Sequence, residues 1–315
     1  MARQIGLKFL QLVVVMLAVS VLVFLLLELV PGDAAEVIAG NSGDASPQAV
    51  EAIRHSLGLD RPLAVRYFDW LGGVFQGDLG ASYTNGQDVT EAIRSRLPVS
   101  VQLVIYAEVL SLLVAVPLAT YVAQKRDSFI DRAVAMACFA GQAVPNFMLA
   151  LILILILAVQ LGWFPAVGYV PISEGFVASM RSLTIPALAL SGALIPIYVR
   201  VLRNELVRTI QEDYVLVGRA MGIPRPKLLA RYALRPASPT LITVVGVNIG
   251  SLLGGAVLVE VISGVPGIGT LMLGAIQNWD YVVVQGVVLV IALAYVLANF
   301  IVDILHAIVD PRVSA

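Results

Sequence analysis

The stretch FLQLVVVMLAVSVLVFLLL, residues 9–27, carries no charge and runs into Glu28 and the breaker Leu29-Val-Pro-Gly-Asp33. A helix rises about 1.5 Å per residue, so a run of this length crosses the roughly 30 Å of hydrocarbon in a bilayer. Arg3 and Lys8 ahead of it resemble the basic leader of a signal peptide. The apolar part of a signal peptide is only about 7–15 residues long and ends at a small-residue cleavage site. An uncleaved first membrane helix is therefore expected.

Further apolar runs lie near residues 98–123, 133–160, 183–202, 236–261 and 282–307. Each approaches the roughly 20 residues that a helical span needs. Together with residues 9–27 they predict six transmembrane helices. Composition agrees, because 59% of the 315 residues are hydrophobic and only 13% are charged. In lipid all backbone polar groups must bond within the protein, and these runs exceed the about 9–11 residues of a barrel strand. The fold class that follows is an all-α polytopic membrane protein.

Lys and Arg accumulate in cytoplasmic loops near the spans. With the N-terminus inside, the inner segments hold Arg3 and Lys8, then Lys125, Arg126 and Arg132, then eight residues from Arg200 to Arg235, then Arg312, fourteen in all. The outer segments hold six, Arg54, Arg61, Arg66, Arg94, Arg96 and Arg181. Most of those sit in residues 31–97, a segment long enough to translocate regardless of charge. Both termini are therefore expected in the cytoplasm. The formal net charge of −1 hides this asymmetry.

Three regions follow: an N-terminal transmembrane helix over 1–30, a small extracytoplasmic cap over 31–97, and a core of five transmembrane helices over 98–315. Within the cap, Ser46 is a plausible N-cap for a helix starting at Pro47, and Gly58 stops it. Pro62 to Phe75 is a second amphipathic stretch. Gly162 to Arg181 reads as an outer loop, and Gly264-Val-Pro-Gly-Ile-Gly269 as either a re-entrant turn or an ordinary surface turn.

The sequence has no Gly-x-x-x-x-Gly-Lys-Ser/Thr phosphate loop and no paired Cys or His at metal spacing. Its two histidines, His55 and His306, are far apart, and Cys138 is alone within the third apolar run. No catalytic or metal-binding residues are expected, and energy from ATP would have to arrive through a partner.

The most informative polar segment is EDYVLVGRAMGIPRPKLLARYALRP, residues 212–236. Glu212 and Asp213 favour a helix start through the macrodipole, and Gly222 with Pro224 ends that helix. Pro226 suits the first turn of a second helix, and Pro236 stops it. Two short helices joined at an angle can dock a partner protein. The same shape, with Arg219, Arg225, Lys227, Arg231 and Arg235, also resembles a helix-turn-helix that reads nucleic acid. Spans on both sides and the inside rule for basic residues favour docking, with no nucleic acid.

This segment resembles the coupling loop, residues 213–235, of binding-protein-dependent ABC import permeases of the dipeptide and oligopeptide type. The family pattern is Glu-Ala-Ala, three residues, Gly, nine residues, then Ile-x-Leu-Pro. Here Leu216-Val217-Gly218 takes the Glu-Ala-Ala place, Gly222 the Gly, Tyr232 the Ile and Leu234 the Leu, while the Glu, both Ala and the final Pro are missing. Asp213-Tyr-Val and Gly218-Arg-Ala-Met-Gly222 are similar to the peptide group's local form. The likeness extends to Leu29–Asp33, Leu57–Pro62, Gly77-Asp-Leu-Gly80, Val259–Gly269 and Asp310-Pro-Arg312.

The resemblance implies a permease subunit in the plasma (inner) membrane that translocates short peptides inward, paired with a second homologous permease. It also implies two ATP-binding subunits that carry ATP and magnesium, and an extracytoplasmic solute-binding protein, with no cofactor in this chain. Similar permeases move nickel, glutathione, haem or other small solutes. The coupling residues it implies are Asp213, Tyr214, Leu216, Val217, Gly218, Ala220, Gly222 and Leu234.

Ionisable residues inside a span cost roughly 2.5–3.5 kcal/mol near the bilayer centre, which makes each a candidate for a solute pathway. Glu108 is the most central, with Glu260 and the polar Asn248 as further pathway candidates. Glu28, Glu260 and Asp303 lie near span ends, and Gln102, Gln142, Asn146 and Asn248 can equally bond across helices. A stand-alone channel or secondary transporter is the competing class, but such proteins often show internal repeats or interrupted helices in both halves, and neither pair is visible here.

The orientation is testable by labelling. With Cys138→Ser as background, Asn41→Cys or Asn85→Cys should react with an impermeant thiol reagent on intact cells, and Arg225→Cys should react only after lysis. The reverse pattern would refute the assignment.

Overall fold

The computed structural model describes residues 2–28, 35–36, 39–40, 46–56, 58 and 60–309. Leu29–Asp33, Asn41, Leu57, Leu59 and Asp310–Arg312, with the side chains of Glu28, Arg225 and Asp303, lie outside the described residues. The described chain is helical apart from loops and one isolated bridge, Ala81 to Asp88.

It forms two compact units, one of residues 1–100 with 266–296, the other of 101–265 with 297–315. The first holds α1 (Ala2–Glu28), α2 (Pro47–Ser56) and α3 (Leu63–Gln76). Ser46 Oγ accepts from the Ala49 amide at 3.3 Å, so α2 begins at the expected cap. Gly58, at φ 64°, follows its end. Tyr67 and Trp70 on α3 pack against Phe24 of α1, with ring centroids 5.5 and 5.9 Å apart. The Tyr67 hydroxyl lies 2.8 Å from Ser20 Oγ. An amphipathic stretch in the cap thus holds the first apolar helix.

The core of this unit joins Leu79, Val89 and Ile93 to Ile268, Ala275, Val283 and Val287. The cap segment is therefore completed by residues from far along the chain. Asp280, 4% exposed, accepts from the Ser82 hydroxyl and from the Tyr83 amide at 3.3 Å. Ser100 Oγ accepts the Ile268 amide at 2.8 Å, at the start of α12 (Ile268–Gln277).

α4 (Val89–Gln124) begins nine residues before the apolar run that starts at Pro98, because Asp88 caps it by accepting from the Glu91 amide at 3.0 Å. In the second unit the third apolar run is not one straight helix. It is α5 (Phe129–Gln142) and α6 (Asn146–Leu153, continued as a π-helix over Ile154–Gln160), bent by 99°. Pro145 explains the break, since proline offers no N–H and drives the residue before it out of the helical region. The fifth run also divides, into α10 (Arg235–Gly255) and α11 (Val257–Ser263).

α7 (Phe176–Thr209) is the axis of the second unit, with α5, α6, α10 and α11 packed on it. It keeps Pro186 and Pro196 inside it. Ser191 Oγ bridges the carbonyls of Ala187 on α7 and Ala107 on α4, at 2.7 and 2.9 Å. Gln102 reaches Ser179 at 2.9 Å and Tyr106 reaches Thr184 at 3.2 Å. Asp131 of α5 takes Arg203 of α7 through two bonds of 2.9 and 2.5 Å. Side chains at Gly192 or Gly246 would overlap Leu149 or Val302, so small residues set these helix approaches.

Among the described residues four helices are long and apolar enough to cross a membrane, and up to six if each broken helix pair is one span. α13 (Tyr281–Val309) supplies the last of the four. The apolar stretch of α1, Leu10–Leu25, falls short of a full span there. Of the six expected spans, the one over 133–160 is the pair broken at Pro145 and the one over 9–27 falls short, whereas the second broken pair, Val257–Ser263 with Ile268–Gln277, was not among the expected spans.

Asp280→Ala would leave a buried hydroxyl and an amide without their acceptor, a loss of about 1–3 kcal/mol. Purified protein in detergent should melt at lower temperature, and an unchanged melting curve would show the Ser82–Asp280 link to be dispensable.

Candidate docking and pathway site

All the residues singled out for docking and for a pathway fall in the second unit. α8 (Asp213–Ala220) follows α7 after a turn in which the Glu212 amide bonds the Thr209 carbonyl at 3.1 Å. Its pattern is two-sided. Val215 and Gly218 are buried, and Tyr214, Leu216 and Val217 are 45%, 50% and 56% exposed. Asp213, Ala220 and Met221 are exposed as well. Gly218 is small because Leu228 and Ile223 pass close by, 3.0 and 3.4 Å from where a Cβ would stand. Partial burial, reinforced by Glu212, pushes the Tyr214 phenol above its ordinary value.

Gly222 ends the turn after α8 with φ 75°, a left-handed conformation that only glycine adopts without steric cost. Nothing lies within 4 Å of a Cβ at this position. Its role is therefore backbone geometry and not packing. The Ile223 amide bonds the Gly218 carbonyl at 3.2 Å and closes the turn.

The second helix differs from the expected one. α9 (Arg225–Lys227) passes through a π-helical turn, Leu228–Leu234, directly into α10, so Pro236 does not stop it. The widened turn relieves the clash between the proline ring and the carbonyl four residues earlier, and shifts the bonding register past the missing N–H. Leu234 is half-buried in that π segment, not on a free second helix. What projects is α8 with its turn, on the base of a long helix.

Of the pathway candidates, Glu108 and Asn248 come together. Tyr198, fully buried on α7, donates to Glu108, with its hydroxyl 2.9 Å from each carboxylate oxygen. The Asn248 side chain on α10 is a further hydrogen-bond partner of that hydroxyl. Glu260 stands apart on α11, 1% exposed, where that helix packs on α6 and α7. Tyr198 was missed from the sequence, although a phenol inside the apolar run 183–202 needs a polar partner. Gln102 and Asn146 differ in the same respect, because Gln102 bonds across to Ser179 and Tyr169, while Asn146 opens α6 after the Pro145 break.

Comparison with known proteins bears directly on this arrangement. Residues 115–315 match the family model of binding-protein-dependent transport system inner membrane components, and residues 1–104 match the model of its N-terminal part. A Brucella abortus protein assigned as a peptide transport system permease is 40% identical over 303 residues, 96% of either chain. A glutathione transport system permease of Salmonella typhimurium is 34% identical over 306 residues, 97% of either chain. Among solved structures, a chain of the inward-facing MetNI methionine ABC transporter aligns with TM-score 0.57 at 18% identity, over 70% of this chain and 96% of that one. At that identity the last likeness speaks for the fold alone.

Gly222→Val would force a β-branched residue into a left-handed turn, at a cost of about 1–2 kcal/mol. Gly222→Asn should be tolerated, since asparagine enters that region more readily. Hydrogen exchange over 213–224 should accelerate in the valine variant and stay near wild type in the asparagine variant; equal protection in all three would remove the turn from the account.

Proposed function

The chain belongs to the family of binding-protein-dependent transport system inner membrane components, and from that premise we propose that it is the permease subunit of an ABC importer of short peptides. It is the non-catalytic pore component, and ATP with its magnesium is bound and hydrolysed by partner subunits. The observation that carries the docking role is the exposed apolar face of α8, Tyr214, Leu216 and Val217, beside the left-handed turn at Gly222. Large apolar side chains projecting from a short, braced helix suit a groove on a partner, as helix-in-groove contacts do. Asp213, Gly218, Ala220 and Leu234 support that helix from its start, inner face, end and base.

Two ATP-binding subunits engage this loop and its counterpart on a second permease, and an extracytoplasmic binding protein delivers the solute. Residues 31–97 face outward, and both termini face the cytoplasm. Peptide is favoured as solute by the identity to peptide-type relatives. Glutathione, itself a short peptide, is the second reading, supported by the relatives at 34% identity. Glu108, Asn248 and Glu260 contribute to the pathway or its gating, with Tyr198 joining the first two.

Reconstitution tests the whole reading. With both permeases, the ATP-binding subunits and the binding protein in vesicles, labelled di- to pentapeptides should accumulate only with ATP, and Cys pairs between 214–222 and the ATP-binding subunit should crosslink in a nucleotide-dependent way. Solute flux without ATP-binding subunits would indicate a channel instead. Absence of any crosslink across 213–235 would remove the docking role.

A further inference from the structure

A cavity of 360 Å³ opens between α5 and α7, next to Val122 of α4 and the turn at Asp127. Its wall is largely apolar, with Val134, Ala135, Phe139, Pro196 and Val199. The two acids at its rim, Asp127 and Asp131, are each paired with an arginine, of which Arg203 lines the cavity and Arg126 does not. Asp131 takes Arg203 at 2.5 Å, and Asp127 takes Arg126 at 3.3 Å. Arg132 and Arg200 also line the cavity, and among the described residues no carboxylate lies within ion-pair distance of either. The site thus presents uncompensated positive charge above an apolar wall.

The α5 surface beside it indicates what the wall faces. Phe129, Met136 and Phe139 are 82%, 62% and 65% exposed, a spacing that puts them on one side of the helix. A water-filled path would not carry such a stripe, whereas acyl chains would cover it. The cavity also sits at the ends of membrane helices beside the Lys125–Arg132 segment, where headgroups lie if that segment is at the interface. Basic pockets between membrane helices recognise anionic headgroups in this way.

We propose that this cavity binds one anionic phospholipid, its phosphate held by Arg132 and Arg200 and its acyl chain lying along Phe139 and Val134. The Asp131–Arg203 and Asp127–Arg126 pairs keep the two acids from competing with the phosphate for Arg132 and Arg200. The lipid would then brace α5 against α7, the axis that leads into the docking helix. The site is separate from the pathway residues and from α8, so it rests on the membrane placement of the chain and not on the identity of the solute.

The test uses the delipidated full chain in detergent, titrated with phosphatidylglycerol or phosphatidylcholine and followed by native mass spectrometry and thermal melting. Wild type should retain one phosphatidylglycerol and melt higher with it than with phosphatidylcholine. The Arg132→Gln/Arg200→Gln double variant should lose roughly thirtyfold in phosphatidylglycerol affinity, with its melting in phosphatidylcholine unchanged. Arg132→Lys/Arg200→Lys should keep the preference, which separates lost charge from a failure to fold. Equal response to both lipids, an undiminished preference in the glutamine variant, displacement of the lipid by inorganic phosphate alone, or loss of a co-purified second permease in place of lipid would each overturn the proposal. ATP-driven uptake measured on the same variants in phosphatidylcholine vesicles reports on the transport reading independently.

Discussion

Hydrocarbon offers no hydrogen-bond partner, and the second unit is organised by that constraint. A polar group taken into lipid must find its partner inside the protein. α7 is where most of those partners meet. Along one helix, Ser179, Thr184, Ser191, Tyr198 and Arg203 each bond a residue on α4 or α5. The result is a ladder of polar contacts through an otherwise apolar bundle. Each rung contributes modestly, because such bonds average only about 0.6 kcal/mol in membrane proteins. Their common effect is to fix the rotation and depth of the helices, which apolar packing alone leaves loosely specified.

That ladder leads to α8, the helix proposed for docking. α7 ends at Thr209, and after three intervening residues α8 begins at Asp213, so the direction of α8 is set by a rigid axis and a short turn. At the other end of α8, Gly222 turns the chain back so that Leu228 covers Gly218. The exposed Tyr214, Leu216 and Val217 are thus held out by burial of their neighbours. A movement imposed on α8 by a partner would reach α7 and, through Tyr198, Glu108 on α4 and Asn248 on α10. This is a physical connection between the two candidate regions, one that neither region reveals alone.

The broken helices follow from the same constraint. Pro145 interrupts the third run, and two glycines precede the division of the fifth. Irregular backbone at such positions leaves carbonyls and amides that only other protein can satisfy. Here Pro145 and Gly255 mark places where helices pack on α7 and α10 and are not simple lipid-facing spans. Gly168 does the same in the loop before α7, donating to the Ser263 carbonyl at 2.9 Å.

The helical membrane class, the helix starts at Pro47 and Asp213 and the left-handed turn at Gly222 were all legible in the sequence. The reason is that they depend on local terms: run length against bilayer thickness, capping and the freedom of glycine. The family was legible in the motifs of residues 212–236 and 259–269. Tertiary structure alone decided the rest. A hydropathy run records how apolar a segment is and not whether it is straight, so the 99° bend at Pro145 and the passage of helix through Pro236 could not be read from it. The pairing of Glu108 with Tyr198, and of Asp131 with Arg203, joins residues 90 and 72 positions apart. Such contacts depend on which faces of two helices meet, and a single chain written in order contains the faces but not their meeting.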